Sequence, residues 1–534
     1  MQEMRDQMGK ETEVRTVAEN AADRLSARIR SKIRPEWKRA FLTAFVVGML
    51  THLYMFTNNL LTWDSMFSLY APQEMTGIGR PFLRYLCAVS SDFNLPLVLG
   101  TLSVCYLGLT AAALVECFGI RSRIYGMLVA ALVVTFPVVS GTFCYLFTAD
   151  GYMFAFFLSV LSVILAEKGC VGEWKKGCPW VIAGALTLAV SLGIYQAYFA
   201  VTITLCCLKL LLFLLKEDWK KIRSFAGAYL GMGMAGYVFY LLAVRLFRLW
   251  KGVGLLSYNG VDRLDHFVLS DVPRGIYTAY RQFFSFALRS NVLTTNGFMT
   301  FCVIALLVFG VCSYLYRLFQ YKKGFLFRLI AAVVLVLLLP VGATIFCVMS
   351  PDVFIYILLR MPWVLFFLFV LALAEQSGTR AAVQLATAGL TVCMVFQFYL
   401  VSNIVYYNMN EKYEKSYALC VRLADRIEQQ EGYYPWIRTL FVGAKPDDAK
   451  YPSTEVTTDV LSGYYPARSD FFLNSTDKYA EFFSHYLSIS LAPVSDEEEE
   501  DFLQRDDVKN MDTFPAEDSV QIIDGILVVK MSDF

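Results

Sequence analysis

Stretches of predominantly apolar residues recur along the chain from Ala40 to Ile404, parted by short polar, glycine- or proline-bearing breaks. Hydropathy and these breakers together predict spans near 40–57, 96–118, 124–146, 150–167, 179–195, 198–215, 224–247, 297–316, 326–348, 357–375 and 381–404. A hydrocarbon core of roughly 30 Å asks for about 20 apolar residues per helix. In lipid each backbone polar group must be satisfied within its own segment, whereas a barrel would show alternating ten-residue strands. The expected fold is an all-α polytopic membrane protein of about eleven transmembrane helices.

The Lys and Arg positions orient these spans. Arg28, Arg30, Lys32, Arg34, Lys38 and Arg39 precede the first, and Arg121, Arg123, Lys175, Lys176, Lys220, Lys221, Arg223, Lys322, Lys323, Arg328 and Arg380 fill every second short loop afterwards. The positive-inside rule puts all of them in the cytoplasm, and 58–95, 248–296 and the tail after Tyr406 on the outer face of the cytoplasmic membrane. Three regions follow: a basic cytoplasmic segment 1–38, a membrane domain 39–405 and an extracytoplasmic domain 406–534. In the first, Val14, Val17, Ala21, Leu25 and Ile29 repeat at helical spacing, as in a helix lying on the inner leaflet, and no cleavable signal is expected. In the last, Tyr413, Tyr417, Cys420, Ala424 and Ile427 mark one face of a polar helix, and Trp436–Val442 and Val520–Lys530, with an Asp524-Gly525 turn, predict strands. The tail is expected to be a small α+β domain, with the acidic run Asp496–Asp501 as a solvated loop.

Composition agrees, with 57% hydrophobic and 17% charged residues, too apolar for a water-facing surface. The net charge of +1 carries little information. Most of the thirteen cysteines fall inside spans, and His52, His266 and His485 are scattered, without zinc-ligand spacing. No phosphate-cradling glycine loop is present. We therefore expect no metal, no cofactor and no nucleic-acid partner; the bilayer is the one partner that composition implies.

The chemistry-bearing residues lie in the outer loops. After the first span come Asn58-Asn59-Leu60-Leu61-Thr62-Trp63-Asp64-Ser65, then Gly79-Arg80-Pro81. A carboxylate between an aromatic anchor and an arginine suits the meeting of a polar acceptor with a lipid phosphate; a solvated loop Asp has the same spacing. Asp150, at the tight Phe147-Thr148-Ala149-Asp150 junction, is either a site carboxylate or the cap of the next helix. Tyr195-Gln196 is either part of a site or an interfacial aromatic with a packing amide. Arg360, at the outer start of the tenth span, is either a phosphate ligand or a side chain snorkelling to headgroups. The stretch holding Tyr277, Tyr280, Arg281 and Gln282 reads best as a helix lying in the interface.

In this order Asn59…Asp64, Gly79-Arg80, Phe136-Pro137…Phe147-Thr148-Ala149-Asp150 and Ser191-Leu192-Gly193-Ile194-Tyr195-Gln196-Ala197-Tyr198 resemble the bacterial membrane glucosyltransferases of the O-antigen-modifying, seroconverting type. The resemblance covers most of 40–405 and continues more loosely into the tail through Asn408–Gly432. It implies a GT-C glycosyltransferase that takes a sugar from a polyprenyl-phosphate carrier and passes it to a cell-surface glycan. The first outer loop then carries the catalytic carboxylate, which maps to Asp64. Some GT-C enzymes have two adjacent acids there; here Ser65 follows Asp64, which leaves open whether Asp150 is a second carboxylate or structural. Arg80 first, and Arg360 second, are expected to meet the phosphate, with Asn59, Tyr195 and Gln196 about the substrates. A transporter or flippase would instead show mid-membrane charges or broken helices, for which Gly231, Gly233 and Gly236 are the candidate break. A non-catalytic scaffold for polymer assembly needs none of these residues.

Overall fold

The structure, a computed structural model, describes residues 20–28, 30–58, 60–170, 174–256, 269–320, 324–350, 353–376, 379–443, 445–454 and 458–533. Among these, eleven helices are long and apolar enough to cross a membrane, one for each expected span. The chain is a multi-pass membrane protein. Of the N-terminal helix expected from Val14 to Ile29, residues 20–28 are helical, while Val14, Val17 and Ile29 lie outside the described residues.

Proline and polar caps set several helix starts. Helix α1 (Pro35–Thr57) and α2 (Pro96–Phe118) begin on prolines that need no partner for the missing N–H. The third span is two helices, α3 (Arg123–Thr135) and α4 (Pro137–Phe143), because Pro137 pushes Phe136 out of helical backbone, to ψ 134°. Then come α5 (Ala149–Gly169), α6 (Trp174–Ile194), α7 (Phe199–Leu214) and α8 (Trp219–Lys251). Helix α8 runs through Gly231, Gly233 and Gly236 without a break. Gly236 serves packing instead: a Cβ there would stand 2.9 Å from Leu188 Cδ2 and 3.0 Å from the Ala185 carbonyl, so α8 lies close on α6.

The amphipathic stretch of the long loop forms α9 (Val272–Arg289), which buries Gly275, Ala279, Phe283 and Phe286. Helices α10 (Gly297–Phe319), α11 (Phe325–Ala343), α12 (Phe346–Met349), α13 (Trp363–Glu375) and α14 (Ala381–Glu428) complete the bundle. At one end, basic side chains meet carboxylates and helix carbonyls: Arg34 and Arg121 pair with Glu116, Lys209 with Glu167, and Arg317 donates to the Leu373 carbonyl. The opposite end carries the loop 58–95 and the tail.

Helix α14 differs from expectation. The span expected to end at 404 and the polar helix after it are one rod of 48 residues, about 72 Å at 1.5 Å per residue, which crosses the expected domain boundary unbroken. Its far half buries Ser416, Leu419, Cys420, Leu423 and Ile427 in the tail. There β1 (Arg438–Val442) pairs in parallel with β2 (Ala492–Pro493) and with β4 (Ile526–Lys530), and β3 (Val520–Ile523) runs antiparallel to β4, giving the order β2-β1-β4-β3. Asp524 and Gly525, at φ 50° and 78°, make the expected tight turn. The helix α15 (Thr476–Phe482) packs on this sheet. The acidic run corrects the loop reading: it opens helix α16 (Asp496–Gln504), where Ser495 and Glu498 form a capping box and carboxylates suit the positive helix start.

Candidate active site

A cavity of about 640 Å³ lies at the tail-bearing end of the bundle, the size of a small-molecule site. Its wall brings together Asp64, Arg80, Tyr195 and Gln196, which the chain separates by up to 132 residues. Asn59 lies outside the described residues.

Arg80 is held from two sides. Its Nε donates to Gln196 Oε1 at 3.1 Å, its NH1 donates to the Tyr152 hydroxyl at 2.7 Å, and its guanidinium lies 4.9 Å from the centre of the Tyr195 ring. Tyr195 is itself stacked on Tyr152 at 4.0 Å, so both rings are fixed before they touch the cation. Gln196 donates its amide to the Ile78 carbonyl at 2.7 Å, and Tyr240 donates to the Gly79 carbonyl at 3.1 Å. The Gly79-Arg80 turn is thereby fastened to the Tyr-Gln-Ala-Tyr turn and to α8. The turn needs Gly79, whose φ is +79°. Gly193 is needed for contact: its carbonyl accepts from the Phe82 N–H, and a Cβ on it would come within 2.3 Å of the Phe82 ring.

Nearby, Glu74 accepts hydrogen bonds from Thr76, Arg84 and Lys251. Partial burial pushes its carboxyl up, but these bonds outweigh that and hold it at about 2. Glu74 is a fixed anion that ties the loop to the end of α8.

Asp64 opens the single turn Ser65–Ser68. Leu61 and Met66 on either side are buried with Leu419, Phe472 and Phe482 in the tail's core, which anchors the loop. The Asp64 side chain stays accessible, and the space it meets is the cavity. Desolvation pushes its carboxyl above the usual carboxylate range, and the Lys478 ammonium offsets part of that. Among the described residues its carboxylate accepts no hydrogen bond.

Two candidates stand elsewhere. Asp150 is buried in the first turn of α5, accepting from Ser90 Oγ and from the Gly151 N–H, each at 2.8 Å, and does not line the cavity, although Thr148 and Tyr152 do. Arg360 is 5% exposed, donates twice to Gln282 of α9 at 3.1 and 2.6 Å, and lies against the Phe286 ring. Its neighbours Leu358 and Leu359 face the cavity instead.

Tyr152, Tyr240, Tyr465 and Asn474 also line the wall and escaped the sequence reading. Tyr152 had a faint signal, one helical step beyond the Thr-Ala-Asp turn; Tyr465 and Asn474 had none.

Residues 53–373, more than half of the chain, match the family described as glucosyl transferase GtrII. The chain belongs to this family. No curated protein and no solved structure matches it. Membership of the GtrII glucosyltransferases bears out the resemblance carried by Gly79-Arg80, Thr148-Ala149-Asp150 and Tyr195-Gln196-Ala197-Tyr198, and makes the protein a membrane glycosyltransferase. The GtrII match spans both turns that hold Arg80 and ends within α13, short of α14 and the tail.

Proposed function

We propose that this glucosyltransferase takes glucose from a polyprenyl-phosphate carrier and passes it to a hydroxyl of a cell-surface glycan, on the outer face of the cytoplasmic membrane. The observation that carries this reading is the single cavity lined by both the Asp64 carboxylate and the clamped Arg80 guanidinium. Asp64 is the base: as the acceptor oxygen bonds to the anomeric carbon, the hydroxyl proton passes to the Asp64 carboxylate, and a carboxyl pushed upward is the better proton acceptor. The bond from the anomeric carbon to the phosphate oxygen breaks, and the carrier leaves as its phosphate monoester. Arg80 meets that charge, since a guanidinium remains protonated in a partly dry site and its fork matches phosphate oxygens.

Tyr195, Gln196 and Tyr152 position Arg80. Asp150 and Arg360, bound to Ser90 and Gln282, act as structural groups in this reading. The apolar part of the wall, including Phe346, Met349 and Val353, suits the lipid end of the donor.

The test is single-turnover transfer by the purified protein. Polyprenyl-phosphate glucose with acceptor glycan gives product, and nucleotide-linked glucose with the same acceptor gives none. Turnover with the nucleotide sugar alone overturns the donor assignment.

A further inference from the structure

The family match stops within α13, yet the cavity does not. Tyr465 and Asn474, about a hundred residues further on, complete its wall. The tail is built around the loop that bears Asp64: α15 packs on the turn Ser65–Ser68, and Trp63 meets the Tyr465 ring edge-on at 5.2 Å. Lys412 of α14 stands 5.5 Å from the Trp63 ring and donates to the Arg468 carbonyl at 2.7 Å, securing the segment that presents Tyr465. Lys478 of α15 donates to Asn474 Oδ1 at 2.9 Å.

We propose that the tail domain builds the acceptor subsite, in which the ring of Tyr465 and the amide of Asn474 bind a hydroxyl-bearing pyranose of the acceptor glycan. This inference rests on the assignment of Asp64 as base. A base that takes the acceptor's proton touches the acceptor and not the leaving group, so the surface around Asp64 is the acceptor's. The leaving phosphate is met at the Arg80 clamp, which is built by the turns within the matched region. The chemistry of the tail side fits a sugar. Tyr465 is 54% exposed and offers an aromatic face to the C–H face of a pyranose ring. The Lys478 bond uses the carbonyl oxygen of Asn474, and among the described residues its amide nitrogen donates to none, so its N–H groups are available to sugar hydroxyls. The membrane domain thus handles the lipid-linked donor, and the domain outside the family match selects what receives the glucose.

The experiment uses the full-length protein in lipid nanodiscs, polyprenyl-phosphate glucose, and oligosaccharides released from the producing cell's surface polysaccharide. Asn474→Ala and Tyr465→Ala each raise the acceptor KM, by roughly five- to tenfold for one lost sugar contact. Tyr465→Phe, which keeps the ring, restores it, and titration with the lipid-linked donor gives a Kd within twofold of the parent for all three. An unchanged acceptor KM, or a donor Kd that rises in parallel, overturns the inference. If the parent protein transfers nothing from the lipid-linked donor, the donor assignment falls. Equilibrium binding of the same oligosaccharides then decides the subsite by itself: weakened binding to both alanine variants supports it, and equal binding refutes it.

Discussion

The Tyr152 hydroxyl isolates the role of Arg80 with a single atom. Tyr152→Phe removes the acceptor of a 2.7 Å bond from Arg80 NH1 while keeping the ring stacked on Tyr195 at 4.0 Å. A hydrogen bond to a charged group is worth about 1.5–3 kcal/mol net. The pair faces a cavity that admits water, and Gln196 still holds Nε, so the expected loss lies lower, at about 1–2 kcal/mol. That is roughly a five- to thirtyfold fall in kcat/KM for the donor. In the proposed mechanism the same cation meets the phosphate in ground and transition states, so donor affinity and the rate of transfer are expected to fall together. The assay is single-turnover transfer from polyprenyl-phosphate glucose, with donor binding and thermal unfolding measured separately. A lowered Tm with kcat/KM within twofold of the parent would refute the reasoning: Arg80 would then be a strut between two turns, and the phosphate would be met elsewhere.

Four further outcomes are expected. Asp64→Asn keeps shape, removes the proton acceptor and lowers single-turnover rate by about 10² to 10⁴-fold with little change in donor Kd; full turnover would remove Asp64 from the mechanism. Lys478→Met takes away the charge that lowers the raised Asp64 carboxyl, so the pH at which activity is lost on acidification moves upward; an acid limb that stays put argues against Asp64 as the titrating base. Asp150→Asn retains an acceptor for the Gly151 N–H and leaves turnover near normal in protein that folds, whereas a loss matching Asp64→Asn would make it a second functional carboxylate. A reporter active only in the cytoplasm, fused near Lys450, stays silent, and activity there would place the tail on the wrong face.

The eleven spans were legible because lipid sets both their length and their composition, and because proline and glycine mark the breaks. Asp64, Arg80, Tyr195 and Gln196 were legible as an ordered set through the family resemblance, although no spacing along the chain told that they share one cavity. Other features depended on partners far away in sequence. Asp150 reads equally as cap or site carboxylate, and only the fold shows it bonded to Ser90, sixty residues earlier. Arg360 reads as a phosphate ligand or a snorkelling side chain, and only the fold shows it buried and donating to Gln282 of α9. The continuity of α14 was hidden because the apolar run ends near Ile404 and a polar stretch follows. Asn403 and Asn408 donate to the Tyr399 and Ile404 carbonyls four residues back, each at 2.9 Å, and the rod continues. That continuity carries the tail over the loop 58–95 and sets Tyr465 and Asn474 in the same cavity wall as Asp64. Hydrophobic length and local caps are properties of a segment and can be read from it; a cavity wall is assembled from segments some four hundred residues apart, and only their packing decides which side chains meet.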